Sequence, residues 1–403
     1  MDAAVDRRVP SLFIIPLVLG FVGVLLFIAL LYGQRDLTIV SLMLFGVVAG
    51  AKLWSRWSLA RIECSVSLDK HRTFPGEKLL LRATVENRKF LPVWLQVKVP
   101  ITGFAHGISA ESVTGATVGE TSLLWYENAR FQWELAARSR GIHHVGPLGI
   151  VSGDLFGFFL KGEEMTGTIE VIVYPRLVPL RSLPLPRRDF FGIPGAESPV
   201  QDPVYILGTR DYQQGRPAKY IHWKATARHH KLQEKIFEPT EQEKILIVVD
   251  VGQFELHKAE EEFERALEAV ASMAALLDER GCSVGFVTNG AMSGGGPFIL
   301  PVARNPQQLN AVLEALARLQ MEAARDLIDT MRHHVRLPWG SSCLHFGLEE
   351  SGVAETVRGF LAHRGIPVLF FFNRIFSGTG QARFARGTAV RTLDEIRVGE
   401  GHS

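Results

Sequence analysis

The chain has 403 residues, 47% of them hydrophobic, with a formal net charge of +2 at pH 7. At roughly 150 residues per domain, that length implies two soluble domains besides any N-terminal segment. A near-neutral balance does not fit a chain that binds nucleic acid along its whole surface. The three cysteines Cys64, Cys282 and Cys343 have no metal-ligand spacing and give no disulfide framework, which fits a reducing compartment.

The N-terminus reads as a membrane anchor, residues 1–60. Ser11 to Leu31 carries no charge and is dominated by Leu, Ile, Val and Phe, and about 20 such residues span the hydrocarbon core as a helix. After Gly33-Gln34-Arg35-Asp36 a second apolar run extends from Leu37 to Ala51 and on through Leu53 and Trp54. The expected spans are about 11–32 and 37–54, joined by a tight turn. Lys52 and Arg56 suit a snorkelling role at the second exit, and Trp54 and Trp57 suit the interface. A cleaved signal peptide is the competing reading. Against it stand the length of the first run, the lack of a small-residue cleavage site between the runs, and the second span that follows directly. Arg7 and Arg8 before the first helix, with Lys52, Arg56 and Arg61 after the second, place both ends and the soluble domains in the cytoplasm of an inner membrane.

Residues 61–176 read as strands. Cys64 to Leu68, Trp94 to Val99 and Phe131 to Leu135 alternate in polarity, and Pro75-Gly76 marks a turn before Leu79 to Val85. Short strands with turns between them and no helical period predict an antiparallel β-sandwich. Residues 177–207 contain Pro179, Pro184, Pro186 and Pro194 and read as a Pro/Arg-rich linker.

From 241 to 395 the period changes. Ile245 to Val249 is a continuous apolar run ending in Asp250, as expected of a strand buried on both faces. Phe263, Leu267, Val270, Ala274 and Leu277 mark one helical face that stops at Gly281. Val284 to Val287 is a further strand, Asn305-Pro306 precedes a helix bearing Leu309, Val312, Leu313 and Leu316, a helix is expected from about Leu348 to His363, and Val368 to Phe372 is another buried strand. Strands alternating with helices predict an α/β domain with a mostly parallel sheet. Residues 396–403 read as a disordered tail.

Asp250 stands where open α/β sheets place ligand sites. The position resembles the opening of the metal site in von Willebrand factor type A domains, Asp-x-Ser-x-Ser, whose carboxylate and hydroxyls hold a divalent cation. Here Gly252 and Phe254 replace both hydroxyl residues, so Asp250 is left as a degenerate metal site, and the alternative is a carboxylate that caps the following turn.

The densest chemistry lies in residues 208–240. Arg210, Lys219, Lys224, Arg228 and Lys231 are interleaved with Tyr212, Tyr220 and Trp223, and the second half of the stretch 208–228 is compatible with a helix. Two readings stand side by side: a basic and aromatic surface for an acidic partner, anionic lipid or phosphate, or a structural clasp in which the cations pair with Glu234 and Glu238. The run resembles the signature of the domain-of-unknown-function 58 family, roughly Gly-x-Arg-x-Tyr-x-x-Gly-Asp-x-x-Arg-x-Ile-x-Trp-x-x-x-Ala-Arg. Gly208, Arg210, Tyr212, Gly215, Ile221, Trp223, Ala227 and Arg228 match it, while Arg216 and Lys219 depart from it. Arg140-Gly141, Gly146-Pro147, the run Asp154 to Phe159 and Tyr174-Pro175 are also similar to the family's pattern. The resemblance implies a type A-like (Rossmann-like) domain and association with a MoxR-type AAA+ ATPase.

A hydrolase reading has little to stand on. His222, His229 and His230 invite a search for nucleophile and acid partners, as do His333, His334 and His345 beside Ser341 and Ser342, but no Gly-x-Ser-x-Gly elbow, His-Glu-x-x-His or P-loop occurs. The expectation is a non-enzymatic, membrane-anchored scaffold without a resident cofactor. The alternatives are a metal-dependent type A ligand binder, or a basic surface for anionic lipid or nucleic acid. A nucleic-acid partner is not expected, because the chain has no recognised nucleic-acid motif.

Overall fold

A computed structural model describes residues 11–106, 116–153, 160–165, 167–181, 201–212, 221–239, 243–335, 337–338, 340–374 and 389–396. Gly215, Arg216, Lys219, the run Asp154 to Phe159, residues 182–200 of the expected linker and residues 397–403 of the expected tail lie outside the described residues. The chain forms two compact units, divided between Tyr174 and Pro175.

The first unit opens with α1 (Ser11–Leu31) and α2 (Arg35–Ser58), which pack against each other and bury Val22 and Ala29. Among the described residues, α2 is the one helix long and apolar enough to cross a membrane, and residues 20–31 of α1 form a shorter apolar stretch. The helix α2 outruns the expected end at 54 by one turn. Its last residues remain helical because they stand on the β-strands that follow, and Ser55, Ser58 and Leu59 are buried there.

Eleven strands follow: β1 (Ile62–Leu68), β2 (Arg72–Thr73), β3 (Lys78–Asn87), β4 (Val93–Pro100), β5 (Phe104–His106), β6 (Ala116–Leu123), β7 (Asn128–Ala137), β8 (Gly141–Val145), β9 (Leu148–Gly153), β10 (Leu160–Met165) and β11 (Ile169–Val173). Two antiparallel sheets, ordered β1-β3-β7-β5 and β10-β9-β4-β6, share one core. A strand's period of two turns alternate residues inward, so Leu79, Leu81, Ala83 and Val85 of β3 meet Val93, Leu95, Val97 and Val99 of β4. Fully burying each such Leu or Val contributes about 1.5–3 kcal/mol. Gly119 of β6 lies under the stacked rings of Phe131 and Trp133, where a Cβ would approach Phe131 to 2.6 Å. A third sheet, β2-β11-β8, completes the unit.

The second unit contains β12 (Gln201–Asp211), α3 (Trp223–His229) and β13 (Gln233–Pro239), followed by β14 (Lys244–Val249), α4 (Gly252–His257), α5 (Glu260–Glu279), β15 (Ser283–Thr288), β16 (Gly290–Met292), β17 (Ile299–Ala303), α6 (Gln308–Arg318), β18 (Leu319–Ala323), α7 (Leu327–His334), β19 (Ser341–Gly347), α8 (Gly352–His363), β20 (Val368–Phe372), β21 (Ala389–Thr392) and α9 (Leu393–Ile396). The main sheet runs β17-β15-β14-β19-β20-β21, with β17 alone antiparallel to its neighbour. Leu246 and Val248 of β14 pack on one face against Leu327 and Met331 of α7 and Val357 and Leu361 of α8. Alternation turns Ile245, Ile247 and Val249 to the other face, and α5 packs against the neighbouring strands β15 and β19. The fold is therefore mixed α/β and multidomain.

Two expectations are corrected by local pairing. The strand β12 begins at Gln201, inside the stretch read as a linker, because antiparallel pairing with β13 satisfies its backbone. The helix expected from Leu348 begins only at Gly352, where the Ser351 side chain accepts the Ala354 N–H (3.2 Å). All three thiols are free, and burial raises the pKa of each, Cys64 to about 12 and Cys282 to about 11.

One polar contact joins α2 to the strands. Lys89, buried between β3 and β4, donates from Nζ to the carbonyls of Trp57 (2.8 Å), Ser58 and Ala60 (2.8 Å). Burial pushes its ammonium down to about 8, so it keeps its proton at neutral pH. Lys89→Met leaves these carbonyls without their donor and is expected to cost about 1–3 kcal/mol. Thermal unfolding of the detergent-solubilised chain measures this, and an unchanged midpoint would mean that water replaces the ammonium without loss.

Candidate interaction site

The described residues between 208 and 239 include an antiparallel pair, the end of β12 and all of β13. Arg210 stands opposite Glu234, and Asp211 opposite Gln233, in the β12–β13 register, with Gly208 opposite Ile236 beside a bulge. Arg210 donates from Nε to Glu234 Oε1 at 2.5 Å, and the Glu234 side chain is almost wholly buried. Gln233 donates through its side-chain amide to Asp211. Tyr212 N–H donates to the Leu232 carbonyl (2.8 Å), and His222 N–H to that of Gln233 (2.8 Å), so both residues are tied to β13 or its approach. Ile221 is buried and bridges to Glu234.

The expected helix is present but short. It starts at Trp223, where the His222 ring accepts the Ala225 N–H through Nδ1 (3.0 Å), and stops at His230, which adopts a left-handed φ of 51°. Thr226 Oγ1 accepts the Gln233 N–H (3.0 Å), fastening the helix to β13. Trp223 is 68% exposed, and Lys224, Ala227 and Arg228 are exposed beside it. The two readings of this stretch thus divide by residue. Arg210 and Ile221 hold the structure together, whereas Trp223, Lys224 and Arg228 form a projecting aromatic and basic surface.

The second site lies at the carboxyl end of β14. Asp250 is buried, and its Oδ1 accepts from Asn289 Nδ2 (2.9 Å) and Gly252 N–H (3.1 Å). Asn289 in turn accepts the Val251 N–H through Oδ1 (2.8 Å), so one side chain locks both the carboxylate and the turn. Phe254 is fully buried against Phe263, with ring centroids 5.4 Å apart. This donor set does not fit a divalent cation. N–H groups already face Oδ1, and Gly252 and Phe254 bring no side-chain oxygen, while Mg²⁺ needs near-octahedral oxygen coordination. Among the described residues, no group of three His, Cys, Asp or Glu side chains is placed to hold a metal.

Sequence reasoning singled out Asp250 but missed Asn289 and the setting of His345, which the fold brings near it from β19. His345 is fully buried against Phe370 and Phe372, with ring centroids 5.0 and 6.3 Å away. Burial pushes its imidazole down to about 4, although the Asp250 carboxylate pulls the other way. The other histidines of the hydrolase search do not gather there. His222 caps α3, and His333 and His334 end α7.

Residues 208–336 match the family model described as "Protein of unknown function DUF58", a stretch that takes in the signature and the α/β elements through α7. An uncharacterized protein of Bacillus subtilis (strain 168), YeaD, is 24% identical over 291 residues, which is 72% of this chain and 70% of that protein. Among solved structures, a Listeria innocua β-glucosidase is 16% identical, with a TM-score of 0.17, over 28% of this chain and 16% of its own. The cupredoxin domain of amoB from Nitrosocaldus yellowstonii is 7% identical, with a TM-score of 0.19, over 28% of this chain and 86% of its own. Scores this low carry nothing about fold or function.

Two outcomes are expected. Arg210→Ala strands a buried carboxylate and costs about 3 kcal/mol, seen as faster hydrogen exchange across β12 and β13. Replacing Arg210 and Glu234 together by Met and Leu recovers most of it. For His345 the folded pKa lies below the unfolded value of about 6.5, so the unfolded chain binds the extra proton between these values. Stability is therefore full above pH 6.5 and falls by roughly 3 kcal/mol as pH drops toward 4. Acid unfolding of the α/β unit, followed by exchange of β19 amides, should flatten over this window in His345→Leu.

Proposed function

We propose that this protein is a non-enzymatic, membrane-anchored scaffold whose α/β unit is of the von Willebrand factor type A-like kind and binds a MoxR-type AAA+ ATPase. The observation that carries this reading is the Asp250 end of the sheet. The strands β14, β15, β17, β19, β20 and β21 take the doubly wound order 3-2-1-4-5-6, which places its crevice at the carboxyl ends of β14 and β19. There the acidic residue is spent on holding a turn, so the unit keeps the layout of a ligand-binding domain without a metal to bind through. Binding then falls to protein surface, and the exposed Trp223 flanked by Lys224 and Arg228 has the composition of an interface anchor.

The anchor reading rests on α2, with α1 as its partner span and the two sheets of the first unit as a β-sandwich on the same side. Lys52, Arg56 and Arg61 follow the apolar stretch, and that run of positive charge supports a cytoplasmic side of an inner membrane for the soluble units. Lys224 and Arg228 also favour a second reading, in which the same surface takes anionic lipid.

Affinity capture of the solubilised full chain is expected to bring down an AAA+ ATPase in stoichiometric amount. Trp223→Ser should weaken that complex by about 2 kcal/mol, roughly thirtyfold. Repeated capture without the ATPase would sink the scaffold reading as stated. Liposome binding lost on replacing Lys224 and Arg228 by Ala, with capture unaffected, would favour lipid.

A further inference from the structure

Among the described residues that follow α2 in the first unit, large aromatic side chains are exposed at the β3–β4 and β6–β7 connections, beside the end of α2. Phe90 is 73% exposed and stacks on Trp125, 52% exposed, with centroids 5.5 Å apart. Leu124 and Tyr126 beside them are 54% and 67% exposed, and Trp57 near the end of α2 is 59% exposed. Exposing such surface to water costs free energy, and a contiguous apolar patch marks a contact site.

These loops are held in place. Asn87, fully buried, donates from Nδ2 to the carbonyls of Leu91 (2.9 Å) in one loop and Leu124 (2.7 Å) in the other. Tyr126 N–H donates to the Lys89 carbonyl (3.3 Å), and Glu127 accepts the Leu124 N–H through its carboxylate (2.8 Å). Tyr126 has a φ of +57°, the left-handed region that Gly or Asn fills more cheaply. Such a backbone costs about 1–3 kcal/mol and persists only where surroundings or use impose it. A tyrosine kept there with most of its surface exposed points to a contact outside the chain.

The occupant follows from what Lys89 holds. Its ammonium sits on the carbonyls of residues 57, 58 and 60, so the Phe90 loop is attached at the point where the apolar helix α2 ends. A spanning helix ends at the headgroup layer, where Trp and Tyr concentrate because one part of the ring is apolar and the other polar. The Arg88 guanidinium is paired with Glu63 (2.6 Å) and Glu86 (3.1 Å), and the Lys89 ammonium is committed to backbone carbonyls, so neither cation of the β3–β4 loop is left to recruit an acidic protein.

We propose that Phe90, Leu124, Trp125 and Tyr126 insert into the interfacial layer of the bilayer that α2 crosses, docking the first unit on the membrane surface. The proposal rests on the spanning reading of α2. The docked unit then has a second attachment besides the helix, so it cannot swing about α2.

The test uses the full chain in liposomes, labelled with a polarity-sensitive nitrobenzoxadiazole at single introduced cysteines: Phe90→Cys, Tyr126→Cys, Phe45→Cys within α2, and Lys78→Cys. Lys78 begins β3, roughly 30 Å from Asn87 at the other end of that strand. Unsubstituted protein gives the background from its native thiols. Expected are blue-shifted emission and quenching by brominated lipid at Phe45, Phe90 and Tyr126, with neither at Lys78. Quenching at Phe45 with water-like emission at Phe90 and Tyr126 overturns the docking and leaves the span intact. Blue shift at Phe90 without lipid quenching also overturns it, indicating protein contact. No quenching at Phe45 removes the span, and the docking with it.

Discussion

The Lys89 ammonium at the end of α2 is the contact on which the first unit depends. The last carbonyls of any helix lack intrahelical donors, and for a helix leaving an apolar medium the next residues must supply them. Here one buried cation reaches the carbonyls of Trp57, Ser58 and Ala60, while Leu59, between them, enters the strand core. No free linker remains between helix and strands. The connection is therefore a joint with one geometry, and it fixes which end of the β-unit adjoins the helix terminus. The Asn87 amide then carries the same constraint to two loops, through Leu91 and Leu124.

The second unit is governed by a comparable commitment of polar groups. A carboxylate at the carboxyl end of a central parallel strand is ordinarily available to a ligand. Asp250 is withdrawn from that role by Asn289, which donates to it and accepts from Val251. The buried His345 adds to this arrangement as an imidazole packed against Phe370 and Phe372 near the Asp250 carboxylate. The end of the sheet is thus ordered by its own polar groups.

The legible parts of the sequence were those with an uninterrupted period. Ile245 to Val249, the α5 face from Phe263 to Leu277, and Val368 to Phe372 each carry a signal that burial on both faces or on one stripe imposes. The central strand β19 was missed because Ser341, Ser342 and His345 break its apolar run, although five of its last residues, Cys343 to Gly347, are buried between β14 and β20. The start of β12 was hidden by its Pro-rich approach, since Gln201 pairs with Pro239, far along the chain, and leaves no local period. Asp250 was found from position alone. Asn289 was invisible, because nothing in the sequence says which amide will fold back onto which carboxylate.

Exposed aromatics in the two units call for different partners, and the difference lies in the charge around them. Trp223 projects from a helix too short to bury it, and Lys224 and Arg228 are exposed beside it, where they can meet an acidic or phosphorylated surface. Phe90, Trp125 and Tyr126 project from loops whose cations are already committed, Arg88 to Glu63 and Glu86 and Lys89 to backbone carbonyls. A cationic aromatic surface gains most from a polar partner that can pair with it while covering the ring. One without an available cation gains most where water itself is excluded. The same residue types therefore point to a protein or anionic contact in one unit and to the interior edge of a headgroup layer in the other, and only the second is anchored to the helix that would bring it there.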